Sequence, residues 1–214
     1  MTSNVQQPVG SIHTHSLTVA RSELILGGQK SGKSRRAEQL AAAWLAQAPT
    51  HRAVLIATAW PHDDEMRQRI ARHQQDRARR VPGLATREAA HDLPAAIVQA
   101  GGPETLRVVD CLTLWLTQQL MPPSGQGAEV DQQNQPSEQL RQELHAHLLE
   151  AIRICPGPIV LVGNEIGLGV IPLGREVRAF VDALGALNQH VAAVCARVTL
   201  MTAGLPLTLK GAAA

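Results

Sequence analysis

One short stretch near the start of the chain constrains its fold more than any other. Residues 27–34 read Gly-Gly-Gln-Lys-Ser-Gly-Lys-Ser, which has the form G-x-x-x-x-G-K-[ST]. Glycines in such a loop let successive backbone N–H groups turn inward and hold the oxygens of a triphosphate. The apolar run 24–26 before it predicts a buried strand, and the Ala/Leu-rich run 35–47 after it predicts a helix whose N-terminus favours anions. The stretch therefore predicts a phosphate-binding loop rather than a chance Gly/Ser turn.

Within this loop the chemistry assigns different tasks to different residues. We expect Lys33 to reach the β- and γ-phosphates and the Ser34 hydroxyl to bind Mg²⁺. The other loop residues are expected to contribute backbone N–H groups to the phosphates. The full set of expected phosphate-binding residues is Gly27, Gly28, Gln29, Lys30, Ser31, Gly32, Lys33 and Ser34.

Composition bounds what the chain can do with a nucleotide. With 214 residues, 44% of them hydrophobic, it has enough apolar material for the core of one domain. A net charge of +2 and an aromatic content of 2% argue against a nucleic-acid binder, which needs basic patches or stacking rings. The three cysteines are far apart and form no C-x-x-C, so neither a zinc site nor a disulfide framework is indicated. We predict a cytoplasmic protein, because the chain has neither an apolar run of about 18 residues nor a signal-like N-terminus.

Strand and helix patterns alternate along the chain. Apolar runs predict strands at residues 24–26, 53–58, 106–110, 158–163 and 197–201, with shorter strands at 86–88 and 206–210. Helical patterns lie between them, at residues 35–47, from 61 to about 80, 91–100, 112–120, 138–154 and 174–196. This alternation predicts an α/β fold with a mainly parallel sheet and helices on both faces. It occupies one domain over residues 21–210, with a flexible tail at 1–20 and a Pro/Gly/Gln/Ser-rich surface insertion at 121–137.

Two acids are expected beside the phosphate loop. In an open parallel sheet the ligand lies beyond the carboxyl ends of the strands, which places Thr58, Asp110 and Glu165 at the same edge. Asp110 either holds Mg²⁺ or contacts another part of the nucleotide, or it caps the helix that follows. Glu165 is either a second acid of the site or a turn residue of the glycine-rich segment after it.

His73 has two interpretations. It continues the helical face of Met66 and Ile70, so it is either a hydrogen-bonded core residue or a nucleophile. A neutral imidazole can attack an α-phosphorus and form a phosphoramidate, which divides a nucleotidyl transfer into two steps. Arg72 and Arg77 lie near it in the sequence and could offset the charge that develops on the phosphate.

An ordered set of motifs resembles one known family. The motifs stand at residues 27–34, 56–58, 64–66, 69–70 with His73, 86 with 88, 110–115, 164–167 with 169 and 172, and 205–207 with 210. Together they resemble the bifunctional adenosylcobinamide kinases and adenosylcobinamide-phosphate guanylyltransferases of cobalamin biosynthesis, over roughly residues 23 to 210. The chain departs from that pattern at Lys30, where the family usually has Arg, at Leu84 and Ala85, where a Trp is usual, and in its longer insertion.

The resemblance implies a function and a site. It implies phosphorylation of adenosylcobinamide by a nucleoside triphosphate, and then transfer of GMP from GTP through a GMP-histidine intermediate at His73. It also implies a phosphate-loop domain, usually oligomeric, with a corrinoid substrate, GTP or ATP, and Mg²⁺ bound at Ser34 and Asp110. The further nucleotide contacts that it implies are Ala57, Thr58, Ala59, Gln74, Gln75, Asp76, Arg77, Glu88 and Asp110.

Two other functions remain open on the residues alone. One is a small-molecule kinase in which His73 is structural. The other is a switch or motor ATPase, which would need a positioned water and an arginine finger and would form no covalent nucleotide. The role of His73 distinguishes all three.

Overall fold

The computed structural model describes residues 17–59, 64–89, 92–120 and 138–212, in which strands and helices alternate as the sequence predicts. In chain order the elements are β1 (Ser22–Gly27), α1 (Lys33–Gln47), β2 (Arg52–Ala57), α2 (Asp64–Arg80), β3 (Leu84–Glu88), α3 (Leu93–Gln99), β4 (Thr105–Asp110), α4 (Leu112–Leu120), α5 (Glu138–Ile154), β5 (Ile159–Val162), α6 (Arg175–Val194), β6 (Arg197–Thr202) and β7 (Leu205–Lys210). Most of the predicted tail and the whole predicted insertion at 121–137 lie outside the described residues.

The strands form a single sheet with the order β3-β2-β4-β5-β1-β6-β7. Every neighbouring pair is parallel except β6 and β7, which are antiparallel. The predicted α/β fold with a mainly parallel sheet is therefore confirmed. The register aligns the strand ends, because Glu88 pairs with Ala57, Ala57 with Asp110, and Asp110 with Val162. The carboxyl ends of four neighbouring strands thus meet at one edge.

Helices cover both faces of the sheet, and side-chain alternation along the strands decides which face each residue serves. On β1, Leu24 and Leu26 pack into the cluster formed with α3, α4, α5 and α6. Ile25 points the other way and packs against α1. Because the central strands are buried on both faces, their sequences are continuously apolar rather than alternating. No helix within the described ranges has the length and apolarity needed to cross a membrane.

A buried polar cluster lies on the face covered by α1. The Glu23 carboxylate is fully buried on β1 and accepts from Arg197 Nη1 (3.1 Å) and Thr199 Oγ1 (2.8 Å) on β6. Arg197 also donates to the Thr18 carbonyl, so the segment before β1 is attached to the sheet. Arg36 on α1 lies close enough to interact: burial lowers its pKa, and the charge of Glu23 opposes that effect. Glu23 therefore pairs directly with Arg197, and its charge also acts on the buried Arg36.

Candidate active site

The phosphate loop joins β1 to α1 at the carboxyl edge of the sheet, and its backbone needs glycine at two points. Gly27 has φ +153°, and a Cβ there would lie 2.5 Å from the Met201 carbonyl oxygen and 2.6 Å from Ser31 Oγ. Gly32 has φ +102°, immediately before α1. Lys30, which is not a glycine, also adopts a left-handed conformation with φ +54°. The loop conformation thus depends on glycine at positions 27 and 32, while Lys30 adopts a backbone conformation that is unfavourable for a residue with a side chain.

We expect Gly27→Ala to lower the free energy of unfolding by about 1–3 kcal/mol, because the new methyl group meets backbone atoms and φ is unfavourable. Gly28→Ala is the matched control, since nothing lies within 4 Å of a Cβ at Gly28. Urea unfolding of both variants without nucleotide gives the comparison. Equal stability of the two variants would contradict the close approach at Gly27.

Lys33 lies folded back over the loop. Its Nζ donates to the Gly28 carbonyl at 2.6 Å, and its side chain is buried. Burial lowers the pKa of Lys33, while the nearby Cys111 and Asp110 groups act to raise it. The ammonium group is therefore held inside the loop, where a bound phosphate would take the place of the carbonyl as its partner.

Two outside segments brace the loop. The turn between β6 and β7, with positive φ at Ala203 and Gly204, donates the Gly204 N–H to the Ser31 carbonyl (3.1 Å). The segment after β5 donates the Glu165 N–H to the Gly27 carbonyl (3.1 Å). The loop is thus held through two of its carbonyl groups by residues far from it in sequence.

Asp110 is paired with Arg77. Arg77 Nη2 lies 3.3 Å from Asp110 Oδ2, and its Nε lies 3.9 Å from Glu38 Oε1 on α1. Glu38 is in turn held by Arg80, which donates from Nε (2.7 Å) and Nη2 (3.0 Å). These contacts connect α2 to both α1 and β4. This cluster is not evident from the sequence, although arginines three residues apart in one helix share a face and so can meet one acid.

A small cavity lies at this junction. Ser34, Glu38, Arg77 and Asp110 line it together with apolar side chains, and its volume is about 10 Å³. That is close to the space that one water molecule needs. Ser34 and Asp110, the two residues predicted to hold Mg²⁺, therefore face the same space. Hydroxyl and carboxylate oxygens suit Mg²⁺, which binds few protein groups and takes its other ligands from phosphates and water.

Thr58 ties the ends of β2 and β4 together. Its buried hydroxyl donates to the Cys111 carbonyl (2.8 Å) and accepts from the Cys111 N–H (3.0 Å). Its own carbonyl accepts from Gln118 Nε2 (2.6 Å). The polar atoms of this predicted nucleotide contact are therefore engaged within the protein, next to Asp110.

The other predicted contacts are spread along the edge. Glu88 is exposed at the end of β3, four strands from β1, which is about 19 Å at the usual strand spacing. The structure therefore does not bring Glu88 to the phosphate loop. Gln74 and Gln75 are exposed on α2, and Asp76 is half-buried there. Ala57 and Ala59 flank Thr58 at the end of β2.

His73 lies within α2, one turn before Arg77. Its side chain, like those of Met66 and Ile70, lies outside the described residues, so the predicted shared face stays a prediction. Arg72 is exposed on the same helix. The backbone places His73 on the helix that Arg77 connects to Asp110.

Glu165 takes the second of its two predicted roles. Its Oε1 accepts from the Gly167 N–H at 2.8 Å, which closes a turn within the glycine-rich segment. Its neighbour Asn164 contacts two other elements. Its backbone N–H donates to Thr113 Oγ1 (2.9 Å), and its backbone carbonyl accepts from Asn188 Nδ2 (3.1 Å). Asn164 belongs to the motif at 164–167, but its contacts could not be predicted from the sequence, since its partners belong to α4 and α6.

The chain matches one known family and several named proteins over most of its length. The sequence model of the family described as cobinamide kinase / cobinamide phosphate guanyltransferase matches residues 23–209. The bifunctional adenosylcobalamin biosynthesis protein CobP of Pseudomonas aeruginosa is 43% identical over 190 residues, which are 88% of this chain and 97% of that protein. The protein of the same description named CobU in Escherichia coli is 33% identical over 190 residues, 87% of this chain and 98% of its own length.

Similarity extends to one further named protein and to one solved structure. The CobU protein of Salmonella typhimurium is 32% identical over 187 residues, 87% of this chain and 98% of that protein. The flagellar accessory protein FlaH of Methanocaldococcus jannaschii superposes with a TM-score of 0.46 at 12% identity, covering 90% of this chain and 80% of that chain.

Proposed function

The chain belongs to the cobinamide kinase / cobinamide phosphate guanyltransferase family, and on that premise we propose that it modifies its corrinoid substrate in two steps. In the first step, a nucleoside triphosphate phosphorylates the aminopropanol hydroxyl of adenosylcobinamide. In the second, GMP from GTP is joined to that phosphate, giving adenosyl-GDP-cobinamide and pyrophosphate. The bifunctional relatives, which match this chain over nearly their whole length, support both steps.

The kinase step belongs to the phosphate loop. The substrate hydroxyl oxygen attacks the γ-phosphorus and loses its proton to solvent, the bond from that phosphorus to the β-bridging oxygen breaks, and a nucleoside diphosphate leaves. Lys33, released from the Gly28 carbonyl, stabilises the negative charge on the transferred group. Mg²⁺ held by Ser34 and Asp110 would neutralise further charge on the phosphates.

The transfer step belongs to His73. An imidazole nitrogen attacks the α-phosphorus of GTP, a P–N bond forms, and pyrophosphate leaves. A phosphate oxygen of the corrinoid then attacks the same phosphorus and restores the imidazole. The observation that carries this assignment is the pairing of Arg77 with Asp110, which connects the helix of His73 to the cavity lined by Ser34.

Compartment and assembly complete the proposal. A cytoplasmic location is supported by the use of nucleoside triphosphates and by three free cysteines, Cys111, Cys155 and Cys195. A homo-oligomer is supported by β7, an edge strand whose Leu205, Leu207 and Leu209 side chains are exposed. Sedimentation velocity tests the assembly, and a monomer at micromolar concentration would contradict it.

The covalent intermediate is the sharpest test. After incubation with GTP and Mg²⁺, intact mass under conditions that preserve acid-labile adducts is expected to increase by one GMP. His73→Ala should abolish the adduct, because no other group is proposed to form the P–N bond. His147→Ala is the matched control, since His147 is exposed on α5, and it should keep the adduct.

A second incubation tests whether the adduct transfers its GMP to the corrinoid substrate. Adding cobinamide phosphate should return the mass to that of the free protein and release the nucleotide-linked corrinoid. If wild-type protein binds GTP but forms no adduct, the kinase-only function replaces the two-step proposal.

A further inference from the structure

The loop between β5 and α6 exposes an unusual amount of apolar surface. We call residues 166–173, Ile-Gly-Leu-Gly-Val-Ile-Pro-Leu, the apolar strap, and they contain no charged residue. Leu168 is 81% exposed, Val170 96%, Ile171 77% and Leu173 97%. Single exposed apolar residues are ordinary, but a contiguous exposed apolar patch marks a surface that binds something.

The strap is not a loosely attached loop, because hydrogen bonds hold both of its ends. At its start, Glu165 Oε1 accepts from the Gly167 N–H at 2.8 Å. At its end, Arg178 Nη1 donates to the Pro172 carbonyl (2.9 Å) and to the Leu173 carbonyl. A carboxylate at one end and a guanidinium group at the other thus bind the backbone of the strap, while its apolar side chains are exposed.

The strap begins beside the phosphate loop. The Glu165 N–H donates to the carbonyl of Gly27, the first glycine of that loop, at 3.1 Å. The Gly163 N–H similarly donates to the carbonyl of Ile25 on β1 (2.9 Å). An apolar surface and a site built for charged phosphates therefore adjoin at one edge of the sheet.

We propose that the apolar strap is the surface on which the corrinoid macrocycle lies while its aminopropanol arm reaches the triphosphate. This inference rests on the proposed function, which requires one substrate with a broad, methyl-bearing ring and a short hydroxyl arm. The cavity beside the loop, at about 10 Å³, has room for no more than a water molecule and cannot hold the ring, whereas the exposed strap offers it an apolar surface. The apolar strap matches the apolar ring, and the polar loop matches the charged phosphates.

A second copy of this chain is the alternative occupant of the apolar strap. Stable interfaces between proteins bury about 800 Å² and use about 20–30 residues on each partner. The strap has eight residues and adjoins the substrate site, whereas the exposed leucines of β7 lie on a separate edge of the sheet. Its size and position favour the corrinoid.

The test measures corrinoid binding separately from nucleotide chemistry. Cobinamide is dialysed to equilibrium against the full chain and followed by its corrin absorbance. Val170→Ser combined with Leu173→Ser is expected to weaken cobinamide binding about tenfold or more, because two apolar contacts are lost. Val170→Ile with Leu173→Met keeps the surface apolar and should bind within about threefold of wild type. Ile154→Ser, at a 56% exposed position that precedes β5 at the opposite edge of the sheet, should bind like wild type.

The possible outcomes distinguish the strap proposal from the proposed two-step function. Formation of the GMP adduct, which involves no corrinoid, checks that each variant is folded and uses GTP. Unchanged cobinamide affinity in the serine variant, or a smaller sedimentation coefficient that identifies the strap as an interface between copies, overturns the strap proposal. Wild-type protein that binds cobinamide but forms no GMP adduct would refute the His73 mechanism and leave the strap proposal standing. Wild-type protein that forms the GMP adduct but binds no cobinamide would overturn the strap proposal and the corrinoid substrate of the proposed function, and it would leave the His73 chemistry standing.

Discussion

Replacing Lys33 with Met is expected to lower the rate of cobinamide phosphorylation by about a hundredfold or more. A buried, preorganised cation aimed at the transferred phosphate stabilises the transition state far more than one in water, and removal of such a donor costs about 10²–10³ in rate. Lys33 fits this description, because it is buried and its Nζ is held by the loop carbonyl of Gly28 at 2.6 Å. Nucleoside diphosphate release at saturating cobinamide measures the effect.

The matched control is Lys30→Met, the same substitution three residues earlier in the same loop. Lys30 is exposed and its backbone is already left-handed, so Met there meets the same constraints that Lys does. We expect the Lys30 variant to lose less than about tenfold, since an exposed charge is screened by solvent. Equal losses in the two variants would mean that the loop acts through its overall charge rather than through a preorganised ammonium group.

Glu23→Gln is expected to lower the free energy of unfolding by about 3–5 kcal/mol, because it removes the charge that two buried arginines share. Glu23 is fully buried and accepts from Arg197 at 3.1 Å, while Arg36 interacts with it across the face covered by α1. The substitution keeps the shape of the side chain, so the loss reports on charge rather than on a cavity. The midpoint of urea unfolding, at an unchanged slope, measures it.

An exposed ion pair supplies the comparison. Glu150 lies 3.6 Å from Arg153 on the surface of α5, one helical turn apart. Glu150→Gln should change stability by less than about 0.5 kcal/mol, because solvent already screens this pair. A Glu23 variant as stable as the Glu150 variant would show that the buried arginines find other partners.

The fold follows from the sequence largely because its signals are local. The apolar runs on β1, β2, β4 and β5 are buried on both faces, so each run alone identifies a strand. The helix bounds depend on neighbouring residues as well: α3 begins after Asp92, whose side chain accepts from the Ala95 N–H at 3.0 Å. The edge strand β3 is harder to identify, because most of its side chains are exposed and its sequence carries no apolar pattern.

What the sequence could not predict depends on residues distant along the chain. Arg77 is separated from Asp110 by 33 positions and meets it only because α2 and β4 pack together. The apolar strap is a second case, because hydrophobicity alone predicts that the segment is buried, whereas the structure exposes it. Glu165 shows a third case, in which one residue type suits two roles and only the Gly167 contact distinguishes them.

The turn between β6 and β7 has a consequence for how the protein is made. The Gly204 N–H that supports the Ser31 carbonyl lies more than 170 positions after it in the chain. During synthesis, which adds about 5–20 residues per second, the phosphate loop therefore leaves the ribosome well before the turn that supports it. A chain interrupted before residue 204 carries the complete nucleotide motif without this brace. The contact that supports the Ser31 carbonyl therefore forms only after the β6–β7 turn has been synthesised.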